Sequence, residues 1–153
     1  MLYLEDVTVG EVVDCGSTTV SREEIVAFAE RYGPQPFHVD EAAAAESIFG
    51  GLVASGFHVL ALSMRLIVDA VSDHAFAGAR GVDELRWHRP LRPGTTLSVE
   101  IEMAGTDASG GPPGVGHVDF QTRGYDEDRE LLITWTALGL MYERDATTSA
   151  DGD

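Results

Sequence analysis

Lysine is absent from the 153 residues, and all ten basic side chains are arginine. Against them stand 26 acidic residues, so the formal balance is 10 − 26 = −16. A chain this acidic repels nucleic-acid phosphates, and no basic patch offsets the repulsion, which excludes nucleic acid as a partner. Two readings compete for the missing lysine. A GC-rich genome favours arginine codons and accounts for it alone. A salt-rich cytoplasm accounts for the arginine preference and the acid excess together, because screening weakens repulsion among carboxylates; the halophilic reading is favoured. Cysteine is nearly absent as well: Cys15 has no partner for an internal disulfide, and no Cys/His cluster has zinc-ligand spacing, so no metal is expected. Long apolar runs are missing, since charges, Gly or Pro interrupt each one, which excludes a spanning helix and a membrane partner. Met1–Asp6 lacks the basic start and apolar stretch of a signal peptide. Cytoplasmic residence is the default that follows.

The apolar fraction of 44% is that of a folded domain, and the length suits one domain. We expect it over residues 1–144, with a disordered acidic tail over 145–153 (Asp-Ala-Thr-Thr-Ser-Ala-Asp-Gly-Asp). Glu11–Val20 reads as a first strand or extended arm. Ser21, followed three residues on by Glu24, is a capping box, and Ile25, Phe28, Ala29 and Tyr32 recur at helical spacing, giving a helix over Arg22–Arg31. Gly33-Pro34-Gln35-Pro36 stops it and forces extended backbone. Asp40 caps a short helix over Glu41–Glu46. From Phe57 to about Val71 the chain is apolar almost all round, the mark of a helix buried on most sides. Strand-like runs follow at Ala79–His88, Thr95–Met103, Val115–Tyr125 and Glu130–Tyr142, with a Gly/Pro-rich connection over Gly105–Gly116. One buried helix wrapped by an antiparallel sheet is an α+β arrangement.

The chemistry concentrates in Tyr32-Gly33-Pro34-Gln35-Pro36-Phe37-His38-Val39-Asp40. Two prolines stiffen the backbone before His38, and imidazole is the side chain suited to exchange protons near neutral pH. Further on, Ser55-Gly56 precedes the long helix, where unpaired backbone N–H groups can meet a carbonyl oxygen as negative charge develops on it. Each residue also has a plainer reading. His38 alone reads as a partly buried histidine bonded to a backbone carbonyl, Asp40 as a helix cap, and Gly50, Gly51 and Gly56 as glycines of tight turns and close packing. His58 packs or faces solvent, and His88 is surface or pocket wall. His74 and His117 fall in loops, and Trp135 is core.

Pro34-Gln35-Pro36-Phe37-His38-Val39-Asp40, Phe49-Gly50-Gly51-Leu52-Val53-Ala54-Ser55-Gly56 and the later Gly81–Thr95 segment together resemble the MaoC-like (R)-specific enoyl-CoA hydratases. The resemblance runs from about Tyr3 to Glu143. It implies a hot-dog fold, an antiparallel sheet around one long central helix, and assembly as a homodimer or dimer of dimers. It implies a coenzyme A or acyl-carrier thioester as substrate, with no cofactor. The family pattern Asp-x-Asn-Pro-x-His-x-Asp puts its catalytic His at His38 and its oxyanion glycine at Gly56. Gly33 stands at the position of the family's catalytic Asp, and Gln35 at that of its Asn. A glycine carries no group to hold water or move a proton.

The expected function is therefore addition or removal of water at a trans-2-enoyl-CoA, slowed by the missing carboxylate. His38 would act as acid and base, Gln35 would help place water, and Glu30 or Asp40 could stand in for the absent Asp. A non-catalytic acyl-CoA binder, a subunit of a heteromeric hydratase and a hot-dog thioesterase are the alternatives. Arg86, Arg89 and Arg92 form the local arginine cluster and are candidates for CoA phosphate. Leu62, Met64 and Trp87 are candidate tunnel walls.

Overall fold

The computed structural model describes residues 1–146. The last seven residues of the expected tail lie outside the described residues; its first two close a 3-10 turn over Arg144–Ala146. The chain opens with a 3-10 turn, Leu4–Asp6, then β1 (Val12–Thr19), α1 (Arg22–Tyr32), α2 (Pro36–Val39), α3 (Glu41–Ala45) and α4 (Gly56–Ala70). Four strands follow: β2 (Phe76–Trp87), β3 (Thr96–Asp107), β4 (Val115–Tyr125) and β5 (Leu131–Tyr142). They pair with β1 into one antiparallel sheet of order β1-β3-β4-β5-β2. The sheet wraps α4, and the result is the expected α+β hot-dog arrangement.

Local chemistry explains most element ends. The Ser21 hydroxyl accepts from the Glu24 amide and donates to the Glu24 carboxylate, both at 3.1 Å, which starts α1. Asp40 accepts from the Ala43 amide at 3.1 Å and starts α3. Along β3, β4 and β5 alternate residues point into the core, so Leu97, Val99, Ile101 and Met103 meet Val118, Phe120, Ile133 and Trp135. Helix and sheet are joined by a polar bond inside this core: the Trp135 indole donates to Ser63 Oγ at 3.1 Å, and Ser63 donates to the Leu60 carbonyl at 2.7 Å.

Four expectations need correction. Extended backbone holds only as far as Gln35. Pro36 then opens the one-turn α2, because its missing N–H is no loss and its fixed φ is favourable at a first helical position. His117 lies inside β4, paired with Leu140, and not in a loop. β3 continues past Gly105 to Asp107, so the Gly/Pro-rich connection is shorter than expected. Lastly, α4 is not covered on most sides. It buries His58, Val59, Ser63 and Ile67, whereas Phe57, Met64 and Val68 are exposed. Those three recur at spacings of seven and four, one stripe of the helix that the sheet does not reach. Beside it runs β2, an edge strand whose Val82 and Trp87 are exposed too.

Candidate active site around His38

α2 is short, yet it fixes the imidazole firmly. His38 is buried, and its Nδ1 lies 2.7 Å from the Val53 carbonyl oxygen. A carbonyl only accepts, so Nδ1 carries the hydrogen and, in the neutral ring, Nε2 keeps its lone pair for another partner. The plain reading of His38 is thus correct as far as it goes: the ring is bonded to a backbone carbonyl. The bond also sets the tautomer that a proton-accepting Nε2 requires.

The carbonyl that holds His38 belongs to a strap, Leu52–Ser55, which leads into α4. Its position is fixed from two sides. The Val53 amide donates to the Phe37 carbonyl at 3.3 Å, and the Ala54 amide donates to the Leu91 carbonyl at 2.8 Å. Leu52, Val53 and Ala54 are buried, so the strap is packed as well as bonded. Gly56 follows Val53 by three residues, which puts its amide at most roughly 10 Å along the chain from the group that holds the imidazole. At the start of α4, the Ser55 carbonyl accepts from the His58 and Val59 amides. The Gly56 and Phe57 amides have no acceptor among the described residues, as expected of a helix start. Ser55 is the N-cap residue, but its hydroxyl makes no capping bond.

His38, Gln35 and Gly56 all line one cavity of about 440 Å³. The walls are mainly apolar, from Phe37, Phe49, Val53, Val59, Trp87 and Leu91; Ser55, His88 and Arg89 supply the other polar side chains. Among the described residues, none that lines it is acidic. Glu30 lies instead over a separate depression on the outer side of α1, with Arg22 and Val39, and Asp40 spends its carboxylate on capping α3. Neither Glu30 nor Asp40 lines this cavity, and Gly33 offers no side chain.

The arginines part company. Arg89 reaches the cavity rim, where it pairs with Glu130 at 3.2 Å. Arg86 folds back onto the Leu85 carbonyl, and Arg92 donates to the Phe49 carbonyl at 2.7 Å, bracing the turn that precedes the strap. His88, a wall residue as expected, has its Nε2 2.7 Å from Thr134 Oγ1. Of the candidate walls, Trp87 lines this cavity. Met64 lines a second, apolar one of about 420 Å³ toward the far end of α4, and Leu62 packs against the core. Two residues were missed as site residues. Ser55 was noted only as the residue before Gly56. Trp87 was read only as a wall, although its indole lies directly on Gly56.

Two further groups are set by burial. His58 stacks on Phe28 with ring centroids 4.6 Å apart, and its buried Nδ1 has no hydrogen-bond partner among the described residues; burial holds its pKa below the ordinary value, with the Glu24 carboxylate pulling the other way. Burial, aided by the Asp14 carboxylate, pushes the Cys15 thiol up to about 11, so it is inert as a nucleophile near neutral pH.

Comparison with known proteins places this geometry. The profile of the MaoC like domain matches residues 6–119, three quarters of the chain. The chain belongs to the MaoC-like family. A MaoC-like dehydratase from Rhodospirillum rubrum has a crystal structure that superposes with a TM-score of 0.86 at 39% identity, covering 94% of this chain and 99% of that one. YdeM of Bacillus subtilis, an uncharacterized protein, is 32% identical over 104 residues, 67% of this chain and 73% of YdeM. The 3-hydroxybutyryl-CoA dehydratase of Methylorubrum extorquens is 31% identical over 108 residues, 68% of this chain and 65% of that enzyme.

Proposed function

We propose that this MaoC-like chain catalyses slow, reversible hydration of a trans-2-enoyl thioester carried on coenzyme A or an acyl-carrier protein, with His38 as its only acid/base. The observation that carries this is the strap: it holds the His38 ring in one tautomer through the Val53 carbonyl and, three residues on, leads to Gly56, which lines the same cavity and whose amide has no acceptor among the described residues.

The step balances without a cofactor. His38 Nε2 takes a proton from water as the water oxygen bonds to the β-carbon. The electron pair of the double bond moves to the α-carbon and the thioester oxygen, where the Gly56 amide meets the growing negative charge. The imidazolium then returns a proton to the α-carbon. Gln35, which lines the cavity, helps to place the water. Arg89, the one of the three arginines that lines the cavity, is the CoA phosphate contact, exchanging its Glu130 partner for phosphate. A dimer completes the chain, the exposed stripe of Phe57, Met64 and Val68 with the β2 edge being covered by a second copy.

One observation favours a second reading, an acyl-thioester binder without activity or the partner subunit of a competent hydratase: no carboxylate of the described residues lines the cavity. Purified protein, assayed with crotonyl-CoA at high salt, separates the two. Slow loss of enoyl absorbance that His38→Ala abolishes supports hydration. Saturable acyl-CoA binding with no turnover supports the binder, and CoA release from a saturated acyl-CoA would establish a thioesterase instead.

A further inference from the structure

Trp87 ends β2, paired with Ile133 of β5, and its side chain reaches across to the first residue of α4. The indole Nε1–H donates to the Gly56 carbonyl at 2.8 Å. The ring also lies against the Gly56 α-carbon: a β-carbon there would sit 2.4 Å from Cε2 and 2.7 Å from Cδ2. No side chain fits between them. On the other side, the Phe57 ring meets the indole edge-on, with centroids 5.5 Å apart. One indole therefore touches both residues whose amides lack acceptors.

Two points separate this from ordinary packing. The Gly56 carbonyl is the acceptor for the helix amide four residues on, so the backbone does not need the indole. In the single chain Trp87 is also 45% exposed, so there its N–H has water as an alternative partner. The bond fixes the Gly56–Phe57 peptide in one orientation, and the ring keeps position 56 free of a side chain.

The geometry points to Trp87 as a positioning residue for the thioester carbonyl: its bond to the Gly56 carbonyl fixes the peptide that carries the Phe57 amide, and its ring packs on the α-carbon next to the Gly56 amide. This rests on the thioester reading above and acts through Gly56. The test uses butyryl-CoA labelled with carbon-13 at its carbonyl, a saturated ligand with no double bond to hydrate, on the full chain. Infrared difference spectra give the carbonyl frequency bound and free, and calorimetry gives the affinity. In the parent chain, the bound carbonyl band moves to lower frequency. In Trp87→Phe, which keeps a ring but lacks the N–H, at least about half of that shift is lost while affinity stays within about threefold, and crotonyl-CoA kcat falls with KM little changed. Trp87→Leu serves as a second donor-free side chain should Trp87→Phe fold poorly. Folded, ligand-binding variants with the parent's full carbonyl shift would overturn the role of Trp87 and leave the thioester site standing. A parent chain that binds no acyl-CoA would overturn both.

Discussion

Gly33→Asp restores a carboxylate at the position where the family pattern has one, and the structure says how much the change should disturb. Gly33 has φ −173° and ψ 75°, an extended conformation open to any residue, and a β-carbon there meets nothing within 4 Å. Replacing this glycine removes freedom from the unfolded chain, a stabilisation of about 0.4–1 kcal/mol. A carboxylate just past the C-terminal end of α1 faces the negative end of the helix dipole and costs about 0.3–1 kcal/mol. The two nearly cancel, so the melting temperature should move by no more than about 2–4 °C. Activity stands on another scale. A positioned general acid or base contributes about 10²–10⁴-fold, equivalent to roughly 3–5 kcal/mol of barrier. We expect crotonyl-CoA hydration by Gly33→Asp to rise by at least about tenfold, the low end allowing for an imperfectly aimed side chain. The gain should vanish in the His38→Ala, Gly33→Asp double variant, since the new carboxylate works with the imidazole. Initial rates, acyl-CoA affinity and thermal melts on the same samples decide it. A folded, thioester-binding Gly33→Asp chain no faster than its parent would refute the view that one absent carboxylate limits this site.

Three further outcomes are expected. Ser63→Ala leaves the fully buried Trp135 indole without its acceptor, which should cost about 1–3 kcal/mol and lower the melting temperature by several degrees; an unchanged melt would remove the Ser63–Trp135 bond from the account of the core. Burial depresses the pKa of His58 in the folded chain, so as pH falls through about 6.5 the unfolded state takes up the proton first and stability drops. His58→Phe, which can keep the stack on Phe28, should show a shallower fall of the urea midpoint between about pH 7 and 5, and equal slopes would count against burial as the cause. Ten cations among 26 anions leave carboxylates facing one another, so the urea midpoint should rise from low to molar KCl; a midpoint that does not rise would favour the codon-usage account of the missing lysine.

Elements governed by neighbours in sequence were legible without coordinates. β4 has the bounds expected of it, Val115–Tyr125, and Ser21 and Asp40 cap the helices that they were expected to cap. What sequence could not show depends on contacts between distant segments. His38 is oriented by a carbonyl 15 residues on, and Gly56 is covered by a ring 31 residues on. Three arginines spaced three apart look like one cluster on paper. In the fold they end on Leu85, Glu130 and Phe49, because each turned to the nearest acceptor that its own stretch of backbone allowed. The exposed stripe of α4 was hidden for a different reason. An all-apolar helix has the same pattern whether its own sheet or a second copy covers the remaining face.

The glycine at position 33 also bears on how such a site can change. In this cavity the imidazole and the Gly56 amide are not placed by any side chain at position 33. They are placed by the strap, through the Val53 carbonyl on one side and the Ala54 bond to Leu91 on the other. A carboxylate at position 33 would therefore add a proton-transfer group and leave the arrangement of His38 and the strap as it is. The opposite change, at Gly56 or Val53, would dismantle binding and chemistry together. On the proposed reading, the strap is the part that would meet a thioester whether or not a carboxylate stands beside it, and that separation is why turnover and binding must be measured independently in this chain.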